Sequence, residues 1–245
     1  IMNPDIKFEK LWEEVIKICK NEYDIICQNN AKFVGQTIFS NFGKRKKFSY
    51  AECGVYRGTT FMPIYHLCDM LFEDFNAYAF DSFSGFPLMS KHENDEFSRF
   101  EILFNQGKIS KEHLERAKER FIDLTENQHL QTEYFSNYAE EFYLRCDRKE
   151  NITIVPCSFE DLSNINDNKL SLKYNVVFLD CDLYKSYRYC LDYFADKTSL
   201  FVFDEYYSLK YPGARIAVDE FYNNKDWILF NKIKDSPYFE RWGIK

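Results

Sequence analysis

Residues Tyr174–Ser186 read YNVVFLDCDLYKS, and their character changes sharply partway along. Asn175–Leu179 is a short run of mostly β-branched and aromatic apolar residues, the pattern of a strand buried on both faces. It ends in two acids, Asp180 and Asp182. A helical pattern then places Tyr184, Tyr187, Leu191 and Phe194 on one face at spacings of three and four. Strand, acids, helix is how an open α/β sheet presents chemistry, because ligands bind in the crevice outside the carboxyl ends of its strands. Ser199–Phe203 repeats the device and ends in Asp204-Glu205.

Working outward, the alternation continues on both sides. Phe48–Cys53 reads as the first strand, followed by a turn containing Gly54 and Gly58. Thr59-Thr60 offers a cap for a helix carrying Phe61, Ile64, Tyr65, Cys68 and Leu71. Ala77–Phe80 is a second strand ending in Asp81, and Asn151–Pro156 a third, followed by Ser158-Phe159. Ala214–Tyr222 predicts a further helix, and Trp227–Phe230 with Tyr238–Trp242 a closing antiparallel pair. Alternating strands and helices predict a doubly wound, mostly parallel sheet, Rossmann-like, in one domain spanning 1–245. Residues 1–45 form an N-terminal helical addition, with apolar spacing over 5–28 and again over Ala31–Phe42. It covers one end of the sheet or meets a homo-oligomer partner. Residues 88–150 read as a helical insertion after the second strand, with helices over Phe97–Phe104, Ser110–Leu124 and about Thr132–Arg145. Its position at the rim of the crevice makes it a candidate lid, with scaffold or oligomer contact as the other role.

Composition narrows the function. The 245 residues suffice for one α/β domain with additions. A net charge of −7 argues against a nucleic-acid backbone as partner, and Lys44–Lys47 is the only dense basic cluster. With 25 Phe and 18 Tyr, single aromatic positions carry little weight, so Tyr184, Tyr206 and Tyr207 are candidate substrate walls that fit core packing as well. The 8 cysteines form no CxxC pair and sit in apolar patterns, as thiols do in a reducing compartment. No run is long enough to span a membrane and no signal peptide is visible, so the expected location is cytoplasmic.

The glycine turn lacks the three-glycine dinucleotide fingerprint, and no P-loop occurs. A glycine just past a strand still lets backbone approach a ligand closely, and Asp81 stands where an acid grips ribose hydroxyls. Together they point to a nucleoside-containing cofactor. Asp180, Asp182, Asp204 and Glu205 should lie near one another, since strands four and five are neighbours in such a sheet. Crowded carboxylates are relieved by raised pKa values, a basic partner or a bound cation, and hard oxygen donors suit Mg²⁺, Ca²⁺ or Mn²⁺. Helix capping, or pairing with Lys185, Arg188 or Arg215, would equally account for one or two of them.

Four stretches, AECGVYRGTT, AFDSFSGFP, FLDCDLYKS and DEYYSLKYPGARIAVDEF, resemble in order the motifs of the macrocin O-methyltransferase (TylF/MycF) family of S-adenosylmethionine-dependent sugar methyltransferases. The likeness covers most of 48–222 and implies a class I methyltransferase with a seven-stranded sheet. By that resemblance Glu52, Gly54, Tyr56, Gly58 and Thr59 border the methionine part of the cofactor, and Asp81 holds the ribose. Ser82 and Phe83 lie beside the adenosine, Ser158 and Phe159 near the adenine, and Asp180 completes the cofactor set. Asp182, Asp204 and Glu205 match the metal-binding acids, with Mg²⁺ the expected ion, and Asp182 or Asp180 is the base. Cys53, Cys181 and Glu205 depart from the family pattern, Glu205 standing where a second aspartate is usual.

The implied activity is methylation of a hydroxyl on a sugar, nucleotide-sugar or related polar small molecule, in surface-glycan (capsule, polysaccharide) or natural-product biosynthesis. Transfer to a non-sugar oxygen such as a phosphoramidate group, and a catalytically inactive scaffold that kept the fold, are the alternatives. A nicotinamide-dependent oxidoreductase is disfavoured by the glycine spacing.

Overall fold

The computed structural model describes residues 4–85, 87, 97–107, 109–112, 114–115, 118, 138–165, 170, 173–206, 213–223, 229–236 and 239–244. Five parallel strands form the sheet: β1 (Lys47–Cys53), β2 (Asp74–Asp81), β3 (Ile152–Pro156), β4 (Val176–Leu179) and β5 (Phe201–Phe203), in the order β3-β2-β1-β4-β5. The order reverses between β1 and β4, so the crevice opens there. Beyond β5 the chain runs antiparallel: Phe239–Ile244 (β7) pairs with β5, and Leu229–Ser236 (β6) pairs with β7.

Period-two alternation divides the core into two layers. Phe48 and Tyr50 of β1, and Val176 and Phe178 of β4, face the side covered by α1 (Pro4–Tyr23), α2 (Asn29–Phe42) and α3 (Phe61–Leu71). Ala51, Cys53, Val177 and Leu179 face the other side, closed by α6 (Tyr184–Phe194) and α7 (Gly213–Asn223). Two shorter helices, α4 (Phe97–Asn105) and α5 (Ala139–Cys146), belong to the stretch between β2 and β3. Most of the helix expected over Ser110–Leu124 and residues 132–137 of the one expected about Thr132–Arg145, like Tyr207, Trp227 and Tyr238, lie outside the described residues, and α5 forms the end of the latter. All eight cysteines are free thiols, and no helix among the described residues is long and apolar enough to cross a membrane.

The N-terminal helical pattern expected over 5–28 breaks in two. Asp24 adopts a left-handed conformation (φ 53°), its N–H bonds the Lys20 carbonyl and the Ile25 N–H bonds that of Cys19. The chain turns there, and Ile25 is still buried, which is why its spacing imitated a continuing helix. Phe42 at the end of α2 packs on Phe48 at 5.4 Å, and Phe48 stacks on Phe72, just past α3, at 4.3 Å. Both helices therefore run from the carboxyl edge of the sheet to its amino edge, and both N-termini open on the crevice. Gly35 lets α2 lie close on α3, because a Cβ there would meet Leu67 and Trp12 at 2.9 Å.

On the opposite face, Phe194 anchors α6 edge-on against Phe80 (5.3 Å) and Tyr174 (5.2 Å), with no solvent exposure. We expect Phe194→Ala to cost about 3–5 kcal/mol, seen as a lower urea midpoint at unchanged slope.

Candidate active site

Every strand that ends at the crevice delivers a polar group there, and the turn after β1 brings them together. Gly54 has φ 87°, its N–H donates to the Phe80 carbonyl at 2.8 Å, and the Asp180 N–H donates to the Cys53 carbonyl at 2.9 Å. A Cβ on Gly54 would stand 1.9 Å from the Asp180 carbonyl oxygen. Only glycine permits that approach of two backbones. The Asp81 carboxylate fastens the same turn: Oδ2 accepts from the N–H of Val55 (2.9 Å) and Tyr56 (3.2 Å), and Oδ1 from the N–H of Phe83 (2.9 Å). Three backbone donors on one carboxylate fix its position, leaving lone pairs for a ligand.

A cleft of about 720 Å³ occupies the crevice, within the range of small-molecule sites. Of the residues expected to contact a cofactor, Glu52, Gly54, Tyr56, Thr59, Asp81, Ser82, Ser158, Phe159 and Asp180 line it. Gly58 and Phe83 are not among the lining residues, and both pack on Phe142. A Cβ on Gly58 would lie 2.7 Å from the Phe142 ring, and Phe83 stacks on that ring at 5.8 Å. Gly58 also meets a demand for glycine, because its φ is 79° and its close neighbour is a ring of α5. Arg145 of α5 braces this region by donating to the Arg57 and Tyr23 carbonyls. Thr60 sits at the N-cap of α3 without a side-chain capping bond.

The acids converge as the strand order requires. Asp180, Asp182 and Glu205 each present a carboxylate oxygen within 4.8 Å of the others. Asp204 lines the same cleft, its N–H bonded to the Leu179 carbonyl at 3.0 Å, but the tight group contains Asp180 in its place. Asp182 reaches its position through a left-handed backbone (φ 60°), a conformation aspartate tolerates better than most residues. Three hard oxygen donors at this separation fit a small divalent cation. Arg188 reaches Asp192 and Glu220, and Arg215 reaches Asp219. Among the described residues lining the cleft, Lys185 is the only basic one, against Glu52, Asp81, Glu160, Asp180, Asp182, Asp204 and Glu205.

Two of these acids are buried. Glu52 is 1% exposed and accepts a hydrogen bond from the Tyr50 hydroxyl at 2.6 Å. Burial raises its pKa well above the usual carboxylate value; the Tyr50 bond opposes the rise, and the charges of Asp180, Asp204 and Asp81 add to it. Glu205 is 3% exposed, and burial followed by the charges of Asp204, Asp180 and Asp182 raises it likewise.

Gln28, Asn30, Ser186 and Tyr189 also line the cleft, and sequence spacing singled out none of them. Gln28 and Asn30 arrive because α2 opens on the crevice, a tertiary fact without a local motif. Tyr184 and Tyr206 are not among the lining residues; the Tyr184 hydroxyl donates to Glu220 at 2.7 Å, and that of Tyr206 to Asp219.

Sheet order, a crevice at the β1/β4 switch point and acids at the strand ends define a class I methyltransferase-like α/β fold, and solved structures bear this out. The chain is similar to the O-methyltransferase NovP, with a TM-score of 0.60 and 16% identity over 99% of this chain and 98% of that one. It is similar to the calicheamicin methyltransferase CalS11, with a TM-score of 0.54 and 14% identity over 97% and 91% of the two chains. An O-methyltransferase from Bacillus cereus in complex with SAH matches with a TM-score of 0.50 and 10% identity over 96% and 89%. At these identities the likeness is one of fold. No protein-family model and no curated protein matches the sequence.

Two outcomes test the site. Gly54→Ala should be far more damaging than Gly107→Ala, whose φ is also positive (67°) but whose Cβ would meet nothing within 4 Å. The Gly107 variant bears only the left-handed penalty of about 1–2 kcal/mol, and thermal unfolding of the pair separates clash from conformation. Glu52→Gln keeps an acceptor for Tyr50 and removes the titration. A raised folded-state pKa means the stability Glu52 contributes is complete below its unfolded pKa and is lost as pH rises. The variant's advantage in melting temperature should therefore be largest at pH 8 and vanish towards pH 4.5.

Proposed function

We propose that this protein is an S-adenosylmethionine-dependent O-methyltransferase of the TylF/MycF kind, with the complete seven-stranded class I sheet, acting on a hydroxyl of a sugar or nucleotide-sugar in natural-product or surface-glycan biosynthesis. The observation that carries this reading is the convergence of Asp180, Asp182 and Glu205 in the cleft that the Gly54 turn and Asp81 also line. The neighbours support it: NovP is an O-methyltransferase, and CalS11 is described as a TDP-rhamnose 3'-O-methyltransferase of calicheamicin biosynthesis.

The cofactor supplies an electrophilic methyl group on a sulfonium, and its net positive charge suits an acid-lined cleft. The turn through Gly54, Tyr56 and Thr59, with Glu52 behind it, borders the methionine part. Asp81 holds the ribose, and Ser82, Ser158 and Phe159 enclose the nucleoside. Asp180, Asp182 and Glu205, with Asp204 beside them, would hold a divalent cation such as Mg²⁺, which lowers the pKa of a hydroxyl brought to it. The free oxygen of Asp182 would take the proton of the acceptor hydroxyl, leaving the acceptor oxygen as the nucleophile toward the methyl group that the cofactor would supply, with the cofactor's thioether sulfur as leaving group. Residues 88–150 leave the chain just after Pro87, which lines the cleft, and we assign them to acceptor recognition.

Calorimetric titration of S-adenosylmethionine and S-adenosylhomocysteine, with Mg²⁺ and with EDTA, tests the class. We expect micromolar binding of both cofactor forms, independent of metal. No binding under either condition would overturn the enzyme reading in favour of a scaffold. Asp182→Asn should abolish transfer to a nucleotide-sugar acceptor and leave cofactor affinity within about twofold; normal turnover in that variant would remove Asp182 as base.

A further inference from the structure

Glu205 is the longest arm in the carboxylate group and the most deeply buried of its three members. A glutamate side chain has one more rotatable bond than aspartate, so its carboxylate needs something to hold it. Tyr187, fully buried on α6, stands against it. The Tyr187 hydroxyl lies 2.6 Å from Glu205 Oε2 and 2.8 Å from the Leu179 carbonyl, to which it can donate. The Glu205 N–H points back to the same hydroxyl at 3.4 Å. The Leu179 carbonyl also accepts the Asp204 N–H at 3.0 Å; the hydroxyl has one proton, given to the Glu205 carboxylate when that group is ionised and to this carbonyl when it is protonated. The hydroxyl is thus pinned to the last residue of β4, next to Asp180, and it pins in turn a carboxylate that follows β5.

We propose that Tyr187 is a positioning residue, which fixes the Glu205 carboxylate against the end of β4 so that the longer side chain presents its oxygen to the cation site at the same place as a shorter acid would. This rests on the reading of Asp180, Asp182 and Glu205 as cation ligands. Partners that orient a ligand in this way, without touching the ion, commonly govern its affinity.

The test is a double-mutant cycle on the full chain with Mn²⁺ as probe, read by electron paramagnetic resonance as free against bound ion. Calorimetric S-adenosylmethionine affinity is measured on the same samples. Tyr187→Phe should weaken Mn²⁺ binding by roughly 10-fold, the lower end for an orienting partner, with cofactor affinity unchanged. In the Glu205→Asp background the carboxylate no longer reaches the hydroxyl, so adding Tyr187→Phe should change Mn²⁺ affinity less than about twofold. Equal weakening in both backgrounds would mean that Tyr187 acts through packing alone and would overturn the inference. Unchanged Mn²⁺ binding in the single variant would do the same. A wild-type protein that binds S-adenosylmethionine but no Mn²⁺ would overturn the cation reading and this inference with it, while leaving the methyltransferase reading in place.

Discussion

The approach of the turn after β1 to the end of β4 is the constraint from which the site follows. Gly54 brings its backbone against the Asp180 carbonyl at a separation that no side chain allows. That contact sits at the point where strand order reverses, so it draws the bottom of the crevice closed where the two halves of the sheet would otherwise diverge. Asp81 tightens it from the neighbouring strand through three backbone bonds. Glu52 and Asp180, far apart in sequence, become neighbours as a result, and the electrostatics of the cleft are set by backbone packing before any ligand arrives.

The same architecture buries two glutamates, one on each side of the sheet, and treats them alike. Tyr50 meets Glu52 in the layer under α3, and Tyr187 meets Glu205 in the layer under α6, both at 2.6 Å. A buried carboxyl without a partner is costly; a tyrosine hydroxyl serves either protonation state, donating to the carboxylate and accepting from the acid. This pairing gives the tyrosine-rich composition a use that counting residues does not disclose.

Much of the fold was legible because strand burial writes itself into consecutive residues. The runs ending at Leu179 and Phe203 contain little but β-branched and aromatic side chains, and the acids after them mark the crevice. What escaped was tertiary. The family motifs place Gly58 and Phe83 beside a cofactor, and they do not show that both pack on Phe142, which comes from within the insertion. Gln28 and Asn30 reach the cleft through the direction of α2, which a helical period does not encode. Tyr187 was read correctly as part of the buried face of a helix; periodicity reports which face a ring occupies and is silent about where its hydroxyl ends.

The imbalance of acids over bases in the cleft has a consequence for turnover. On the proposed reaction, the cofactor enters with one net positive charge and leaves, demethylated, with none. A wall carrying Asp81, Asp180, Asp182 and Asp204, with Lys185 the only base opposing them among the described residues, attracts the incoming form more than the demethylated one. On that reading, the chemistry itself removes part of the attraction that draws the cofactor into the cleft.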